Sequence, residues 1–351
     1  MSKNTASAGP RRVGIVLREY GPPWNEGVRN LAYALGTYLQ ERGTKVVVLA
    51  SSVRGKDIPS ELPTVEFPSK NPLLFPLAAG RHARRVRLHS LVYITDYSII
   101  AGLKTCLVRW SSGARTTVYL PGLTKPYLPR DPFLYASFSR RVVGSPFLTR
   151  YVPRAEFIPP WVGLERSVQN SSLHRRRNRI LFLGSLEPGR GVPILLQALA
   201  LIRKRRVDAQ LYIGWNGEGA RQLEAIQKLI CDLSLTESVT FLDVNERAQA
   251  YEETDVVVIP HTGEMWMAFP VRILEAAQAG KPIVVTAACG MDSLIDGCGL
   301  GVPANDPHSM SEALEKLLAD DQLYEDCQRH CWEFFERYRP EKSLESLCRA
   351  L

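Results

Sequence analysis

Two hydrophobic patterns alternate along the chain: short runs rich in β-branched residues, and longer segments in which apolar residues recur every three or four positions. The first pattern is typical of strands buried in a parallel sheet, and the second of helices that cover such a sheet. In the first half, a strand at 12–17, a helix at 27–41 and a strand at 45–50 are predicted to form a βαβ unit. Three more strands are predicted, at 91–94, 116–120 and 141–143.

The alternation starts again at Ile180, after a Pro-rich and then a polar segment that indicate an interdomain linker. Up to residue 260 the pattern predicts four strands, at 180–183, 210–213, 239–242 and 256–259, with helices at 192–206, 220–233 and near Ala248. Two such series imply two doubly wound sheets with a cleft between them. We predict an N-terminal domain over 1–165 with a linker to about residue 179, a C-terminal domain over 180–335, and a final helix over 336–351.

The most informative segment lies between the predicted strands at 256–259 and 281–286. A proline suited to a first helical turn and a glycine suited to a helix end bound a helix that carries Glu275, and Glu264 lies in the loop before it. Ligands of open parallel sheets bind beyond the carboxyl ends of the strands, so we expect both carboxylates to face one crevice. A carboxylate there can accept both hydroxyls of a vicinal diol, such as a ribose presents.

A Gly-rich turn follows the predicted strand at 180–183 and contains Gly184, Ser185 and Arg190. The next helix begins near Val192, where backbone N–H groups lack intrahelical partners and the helix dipole is positive, so the turn is suited to bind a phosphate. Arg190 would add a bidentate cation. A plain strand-to-helix turn explains the same glycines without a ligand, and the turn alone leaves both interpretations open.

These segments resemble the donor-sugar motifs of family 4 glycosyltransferases. In that family a first Glu holds sugar hydroxyls, a second Glu after seven intervening residues holds the ribose, and Gly-Lys-Pro follows. A Pro-x-Arg-x-x-Glu run ending at Glu275 matches the second carboxylate. Ten residues separate Glu264 from Glu275. Counting forward from Pro260 therefore assigns the first carboxylate to Glu264, whereas counting back from Glu275 assigns it to Met267.

The resemblance also assigns the ligands of the donor diphosphate, which in the family are an Arg and a Lys. Arg190 occupies the Lys position, but Ser185 occupies the Arg position. Losing one such cation commonly costs ~3 kcal/mol of transition-state stabilisation, about two orders of magnitude in rate. Arg272 lies three residues before Glu275 on the same predicted helix and is a candidate replacement. The alternative is that Arg272 is a solvated surface residue.

Two further residues are placed near the donor by the resemblance. Val244 lies in the loop that borders the nucleobase in relatives, and Gly27 occupies the place of the family's Gly-rich loop, which approaches the donor phosphates or the acceptor. Many relatives end a strand in a His near the reacting sugar, where this chain has Tyr119, so no catalytic His is assigned. Asp96 is interpreted as a helix N-cap in preference to an acceptor contact.

The resemblance implies a GT-B fold, with two Rossmann-like domains facing a central cleft and a C-terminal helix crossing back to the N-terminal domain. It implies transfer of a sugar from a UDP- or GDP-linked donor to a hydroxyl of a lipid-linked or small-molecule acceptor, with retention of configuration. No cofactor is expected, and no metal, because the sequence has no Asp-x-Asp cluster. The expected residues are Arg190 and Glu264 in catalysis, and Gly27, Gly184, Ser185, Arg190, Val244, Arg272 and Glu275 in donor binding.

Two alternatives stay open. Ser185 and the long spacing between the two Glu favour a catalytically weak or silent GT-B-like subunit that acts as a binding or scaffold protein. A sugar-nucleotide epimerase or a phosphorylase would use the same fold with different products.

Charge is divided unevenly within the net value of +8. Residues 1–170 hold 24 Lys and Arg against 10 Asp and Glu, and the remainder 20 against 26, which suggests that the first half meets an anionic partner. Basic residues at 80–87 follow an apolar run at 73–79, a pattern suited to anionic lipid, with a solvated helix as the alternative. Nucleic acid is not expected, because aromatics are not interleaved with these cations.

Location follows from what the sequence lacks. It has no apolar run of the ~20 residues that cross a bilayer and no apolar signal core, which favours a cytoplasmic protein, with peripheral contact at the inner face of the membrane. Seven cysteines without a Cys-x-x-Cys pair indicate reduced thiols rather than a metal site.

Overall fold

The chain forms two compact units in a computed structural model. The first unit comprises Met1–Val162, Trp266–Phe269 and Pro340–Leu351, and the second comprises Gly163–Met265 and Pro270–Arg339. Each unit has its own parallel sheet. The residues that the structure describes are 11–22, 27–55, 61–68, 73–95, 99–122, 138–161, 178–205, 208–215, 220–243, 247–263, 269–349 and 351.

The first unit contains a seven-stranded parallel sheet in the order β3-β2-β1-β4-β5-β6-β7. The strand bounds are Arg12–Tyr20 (β1), Lys45–Val53 (β2), Thr64–Glu66 (β3), Ser90–Ile94 (β4), Arg115–Leu120 (β5), Arg140–Val143 (β6) and Glu156–Phe157 (β7). The strand order reverses between β1 and β4, so the topological switch point of this sheet lies between these two strands.

Three helices connect the strands of this sheet: Gly27–Glu41 (α1), Leu74–Arg85 (α2) and Ile99–Ser112 (α3). Helices α2 and α3 pack against each other and share one core with the sheet, in which Phe75 and Ala79 of α2 and Val108 of α3 meet Val16 of β1 and Leu91 of β4. The two helices therefore cover the same face of the sheet side by side.

The second unit contains a six-stranded parallel sheet in the order β10-β9-β8-β11-β12-β13. The strand bounds are Arg179–Leu183 (β8), Gln210–Trp215 (β9), Val239–Asp243 (β10), Val256–Ile259 (β11), Ile283–Thr286 (β12) and Gly299–Val302 (β13). The helix bounds are Val192–Arg205 (α4), Ala220–Asp232 (α5), Arg247–Glu253 (α6), Val271–Gln278 (α7), Pro307–Ala319 (α8) and Asp321–Tyr338 (α9). The switch point of this sheet lies between β8 and β11.

The last helix, Pro340–Cys348 (α10), belongs to the first unit. Arg140 of β6 donates hydrogen bonds to the backbone carbonyls of Leu347 at 2.6 Å and Ser346 at 2.8 Å. The hydroxyl of Ser90 donates to the carbonyl of Leu351 at 3.1 Å. These bonds fix α10 and Leu351 to the first sheet.

The two predicted doubly wound sheets are confirmed. Helix α1 and strand β11 have the predicted bounds. Most of the other predicted strands extend one to three residues further than predicted. Two boundaries differ around Glu275: Pro270 has an extended backbone (ψ 113°) and precedes α7, and β12 begins at Ile283. Among the described helices, none is both long and apolar enough to span a bilayer.

Candidate active site

The turn after β8 is held against the segment that follows β11. Its last residues, Pro188–Arg190, form one turn of 3₁₀ helix, and Gly191 then adopts a left-handed conformation with φ 76° before α4 begins. A Cβ atom on Gly191 would lie 1.7 Å from the backbone oxygen of Pro260. Only glycine fits here, both for the backbone conformation and for the close approach.

Backbone and side-chain bonds fix the segment after β11 from several sides. The N–H of Thr262 donates to the carbonyl of Gly189 at 3.1 Å, and the amide of Asn305 donates to the carbonyl of Thr262 at 3.0 Å. The hydroxyl of Thr286, at the end of β12, donates to the carbonyl of His261 at 2.6 Å. The carboxyl ends of neighbouring strands in the second sheet are thus tied together where ligands bind in open α/β sheets.

Arg190 and His261 meet in this region. Nη1 of Arg190 lies 3.2 Å from Nε2 of His261, whose side chain is buried. A guanidinium can only donate, so Nε2 accepts and the ring proton resides on Nδ1. Burial, and then the charge of Arg190, lower the pKa of His261 to about 3. The imidazole is therefore neutral at pH 7 and serves as an acceptor for Arg190.

A second cation lies close to Arg190. Burial lowers the pKa of the Arg190 guanidinium, the nearby Glu187 acts in the opposite direction, and Arg272 lowers it further. The last effect is a repulsion between the charges of Arg190 and Arg272. Two arginines whose charges act on each other, together with the positive N-terminus of α4, favour a multiply charged anion.

Arg272 also pairs with Glu275, one turn along α7. The guanidinium donates to Oε2 of Glu275, and the Tyr251 hydroxyl donates to the same oxygen at 2.9 Å. Glu275 is 1% exposed, whereas the Arg272 side chain keeps 25% of its surface accessible. Burial tends to lower the pKa of Arg272, but Glu275 and Tyr251 together raise it. Arg272 is therefore a partly exposed ion-pair partner of Glu275 rather than a solvated surface residue, and its role as a replacement cation stays a prediction.

The remaining predicted residues are placed as follows. Gly184 follows β8. The hydroxyl of Ser185 donates to Oε2 of Glu187 at 3.4 Å, so a short, uncharged side chain occupies the position of the family's Arg. Gly27 is exposed at the start of α1 in the first unit. Three further residues named from sequence, Glu264, Val244 and Asp96, as well as Met267, lie outside the described residues.

Two residues of the site were not predicted from sequence. His261 follows Pro260 directly after β11, and Tyr251 lies on α6, where its ring is fully buried. The position of His261, at the carboxyl end of a strand beside the switch point, was the signal available for it. Tyr119 is fully buried and donates to the carbonyl of Ile158 at 3.2 Å, so its position holds a structural side chain.

The second unit matches a known protein family. Residues 177–320 match the family described as glycosyl transferases group 1. The D-inositol 3-phosphate glycosyltransferase of Corynebacterium jeikeium is 33% identical over 168 residues, which are 45% of this chain and 39% of that protein. The corresponding protein of Corynebacterium urealyticum is 30% identical over 172 residues, 45% of this chain and 40% of that protein. The match thus spans about two fifths of each relative's length.

Solved structures resemble the chain over nearly its full length. A glycosyltransferase from Rickettsia africae superimposes with a TM-score of 0.78 at 13% identity and covers 98% of both chains. Anabaena HepE, solved in complex with UDP and glucose, superimposes with a TM-score of 0.75 at 14% identity and covers 97% of this chain and 99% of its own. At this identity the likeness establishes the fold, and the predicted GT-B fold is confirmed. The relatives are transferases, which does not favour a silent scaffold.

Proposed function

We propose that this protein, whose residues 177–320 match the group 1 glycosyltransferases and whose fold is GT-B, transfers a sugar from a nucleotide-sugar donor to a hydroxyl acceptor. The observation that carries the proposal is that Arg190, in the turn after β8, is bonded to His261 directly after β11, while α7, the next helix after β11, holds the paired Arg272 and Glu275. Two cations suit a diphosphate, and a carboxylate suits the hydroxyls of a ribose.

Arg190 and Arg272 would stabilise the leaving diphosphate. As the bond to the sugar breaks, negative charge grows on the diphosphate, and preorganised cations lower the energy of that state. Ser185 lacks the charge that relatives carry at its position, and Arg272, which lies near enough to perturb Arg190, supplies the second cation. The backbone N–H groups at the start of α4 add partial positive charge.

Glu275 would hold the ribose after an exchange of partners. In the structure its Oε2 accepts from Arg272 and Tyr251, and in this proposal the ribose hydroxyls take the place of the guanidinium. The donor's own diphosphate gives Arg272 a new anion to pair with. Binding of the whole donor thus compensates for opening a buried ion pair, whereas a free nucleoside lacks the diphosphate and binds weakly.

The donor is UDP- or GDP-linked in our proposal, and the transfer retains the anomeric configuration. Support for a nucleotide sugar comes from HepE, solved with UDP and glucose. Retaining members of the family are interpreted as using the leaving phosphate as the base. The mechanism therefore does not require a His at the position that the buried Tyr119 occupies. Glu264 is proposed to contact the sugar, and Val244 and Gly27 the nucleobase and the phosphates or acceptor. No cofactor or metal is proposed.

The acceptor is proposed to be an anionic or lipid-linked hydroxyl compound. The positive first half of the chain suits an anionic acceptor, and the matched relatives are named for transfer to an inositol 3-phosphate. We place the protein in the cytoplasm with peripheral contact at the inner face of the membrane.

Product analysis tests this proposal. The protein is incubated with UDP-, GDP-, ADP- and dTDP-sugars, with and without polyol phosphates or a lipid extract, and nucleotide release is followed. Transfer predicts release that depends on acceptor, together with a new glycoside whose anomeric configuration matches the donor. Release that is equal without acceptor, or a changed sugar still attached to its nucleotide, contradicts it.

A further inference from the structure

Helices α2 and α3 present an unusual outward face. Gly80 of α2 lies against Val108 and Ser111 of α3, because a Cβ on it would come within 3 Å of atoms of both residues. Since both helices cover the same face of the sheet, their outer sides point the same way. The helical repeat places two sets of residues on that side, apolar residues and arginines, which together we name the α2–α3 face: Leu74, Leu77, Leu103, Leu107, Trp110, Arg81 and Arg85.

The apolar part of the α2–α3 face is open to solvent. Trp110 is 88% exposed, Leu74 is 54% exposed and Leu103 is 47% exposed. These are three of the five large hydrophobic side chains that are exposed among the described residues, and all three lie on this one surface. A tryptophan exposed to this extent forgoes most of the free energy that its burial would supply, so something outside the unit is expected to cover it.

The charge of the α2–α3 face favours one kind of partner. Arg81 and Arg85 are exposed beside the apolar residues. Arg84 and Arg87, which are also exposed, flank Arg85 in sequence. Residues 67–122 contain eight Lys and Arg and a single acidic residue, and neither helix contains any Asp or Glu. A protein partner or a second copy would have to bury these arginines against acidic groups, which α2 and α3 cannot supply to each other. A bilayer with anionic head groups accepts tryptophan and leucine at its interface and pairs with arginine at its surface.

We propose that the α2–α3 face docks this protein on an anionic bilayer, with Trp110, Leu74 and Leu103 inserted at the interface and Arg81 and Arg85 against the head groups. The inference deepens the proposed function by naming the surface of the acceptor-side unit that meets lipid. The inference rests on the proposed function only for the biological reason to bind lipid, because docking itself requires neither donor nor acceptor.

Vesicle flotation tests the surface on the full-length protein. Vesicles of phosphatidylcholine alone are compared with vesicles containing phosphatidylglycerol, at low and at high salt. The protein is expected to bind the anionic vesicles and to be released by salt. Each cation contributes ~1 kcal/mol near such a surface, so Arg81→Glu/Arg85→Glu should weaken partitioning by at least about 30-fold. Trp110→Ser/Leu103→Ser should weaken it by at least about 10-fold.

Two controls make the result specific. Arg221→Glu/Lys228→Glu changes the charge by the same amount on exposed positions of α5 in the second unit and should leave binding unchanged. Trp110→Phe should keep binding but lose much of the fluorescence quenching by brominated lipid, because Trp110 is the tryptophan that the α2–α3 face carries. All four variants should unfold at the temperature of the parent, since the substituted side chains are exposed or at the surface.

Three outcomes would overturn the proposal. One is equal binding to neutral and anionic vesicles, and another is an equal loss in the α5 control, which would reflect only the overall charge. The third is concentration-dependent dimerisation that Trp110→Ser abolishes while vesicle binding stays absent, which would make the face an interface between copies. A donor-induced thermal shift, measured in parallel, tests the proposed enzymatic function separately. If donors stabilise the protein but vesicles do not bind it, only the docking proposal is wrong.

Discussion

Arg190 donates a hydrogen bond to the buried, neutral ring of His261 across 3.2 Å, which joins the turn after β8 to the segment after β11. The two residues are 71 positions apart in sequence. Because the imidazole offers its single acceptor to the guanidinium, His261 is a positioning residue for the arginine that we assign to the diphosphate.

Removing that acceptor should reduce donor affinity. His261→Ala removes the acceptor that the imidazole offers to Arg190 and should weaken binding of a nucleoside diphosphate by about 10-fold, as expected for one charged hydrogen bond. His261→Gln keeps an acceptor and should retain most of the affinity. Calorimetric titration measures both variants. Equal losses in the two variants would indicate that the ring acts by packing alone.

Stability should fall with acid because of His261. Its pKa is about 3 in the folded protein and near 6.5 when unfolded, so the unfolded state binds more protons between these values and folding weakens as the pH falls through this window. Between pH 7 and pH 4.5 this group removes up to about 3 kcal/mol. His261→Gln should lose less stability over the same interval. Urea unfolding at several pH values checks this, and parallel curves for both proteins would refute it.

The left-handed backbone at Gly191 supplies a prediction with a matched control. Gly191→Ala adds a Cβ that would meet the carbonyl of Pro260, and both strain and collision should cost about 3 kcal/mol or more and disturb Arg190. Gly43 has the same φ of 76°, and no atom lies within 4 Å of the point that a Cβ on it would occupy. Gly43→Ala should therefore cost only about 1 kcal/mol. Thermal unfolding and diphosphate binding distinguish the two.

The buried pair on α7 predicts a split between stability and binding. Arg272→Ala removes the guanidinium that pairs with Glu275 and keeps the bond from Tyr251, which should cost about 2 kcal/mol of stability and weaken diphosphate binding. Tyr251→Phe should cost about 1 kcal/mol and leave diphosphate binding nearly unchanged. Chemical denaturation and titration with UDP and GDP provide the two readouts. A stronger effect of Tyr251→Phe on binding would reverse the roles assigned here.

Sequence predicted the fold well because its signals are local. The β-branched run of β11 and the periodic α1 have the predicted bounds, and glycines mark the turns at Gly191 and Gly280 with positive φ. Pro270 marked the approach to α7 but precedes the helix, because its own backbone stays extended.

The site was predicted less completely, for a physical reason. Arg190 and Glu275 follow from their motifs, and Arg272 was placed on the same helix as Glu275, but the ion pair between the two was not predicted. The contact of Arg190 with His261 depends on how two distant loops meet, and no periodicity reports that. Likewise, nothing in the sequence indicates that Tyr251 donates to Glu275.

The most direct test of the central claim is a titration of the protein with UDP, GDP, ADP and dTDP, on the parent and on Arg190→Ala, Glu275→Gln and the control Arg221→Ala. A donor site on the second unit predicts that one nucleotide stabilises the parent and the control by ~2 to 4 kcal/mol when in large excess over its Kd, and that both site variants lose this stabilisation. If no nucleotide stabilises the parent, or if Arg190→Ala and Glu275→Gln bind as tightly as the control, the account is contradicted.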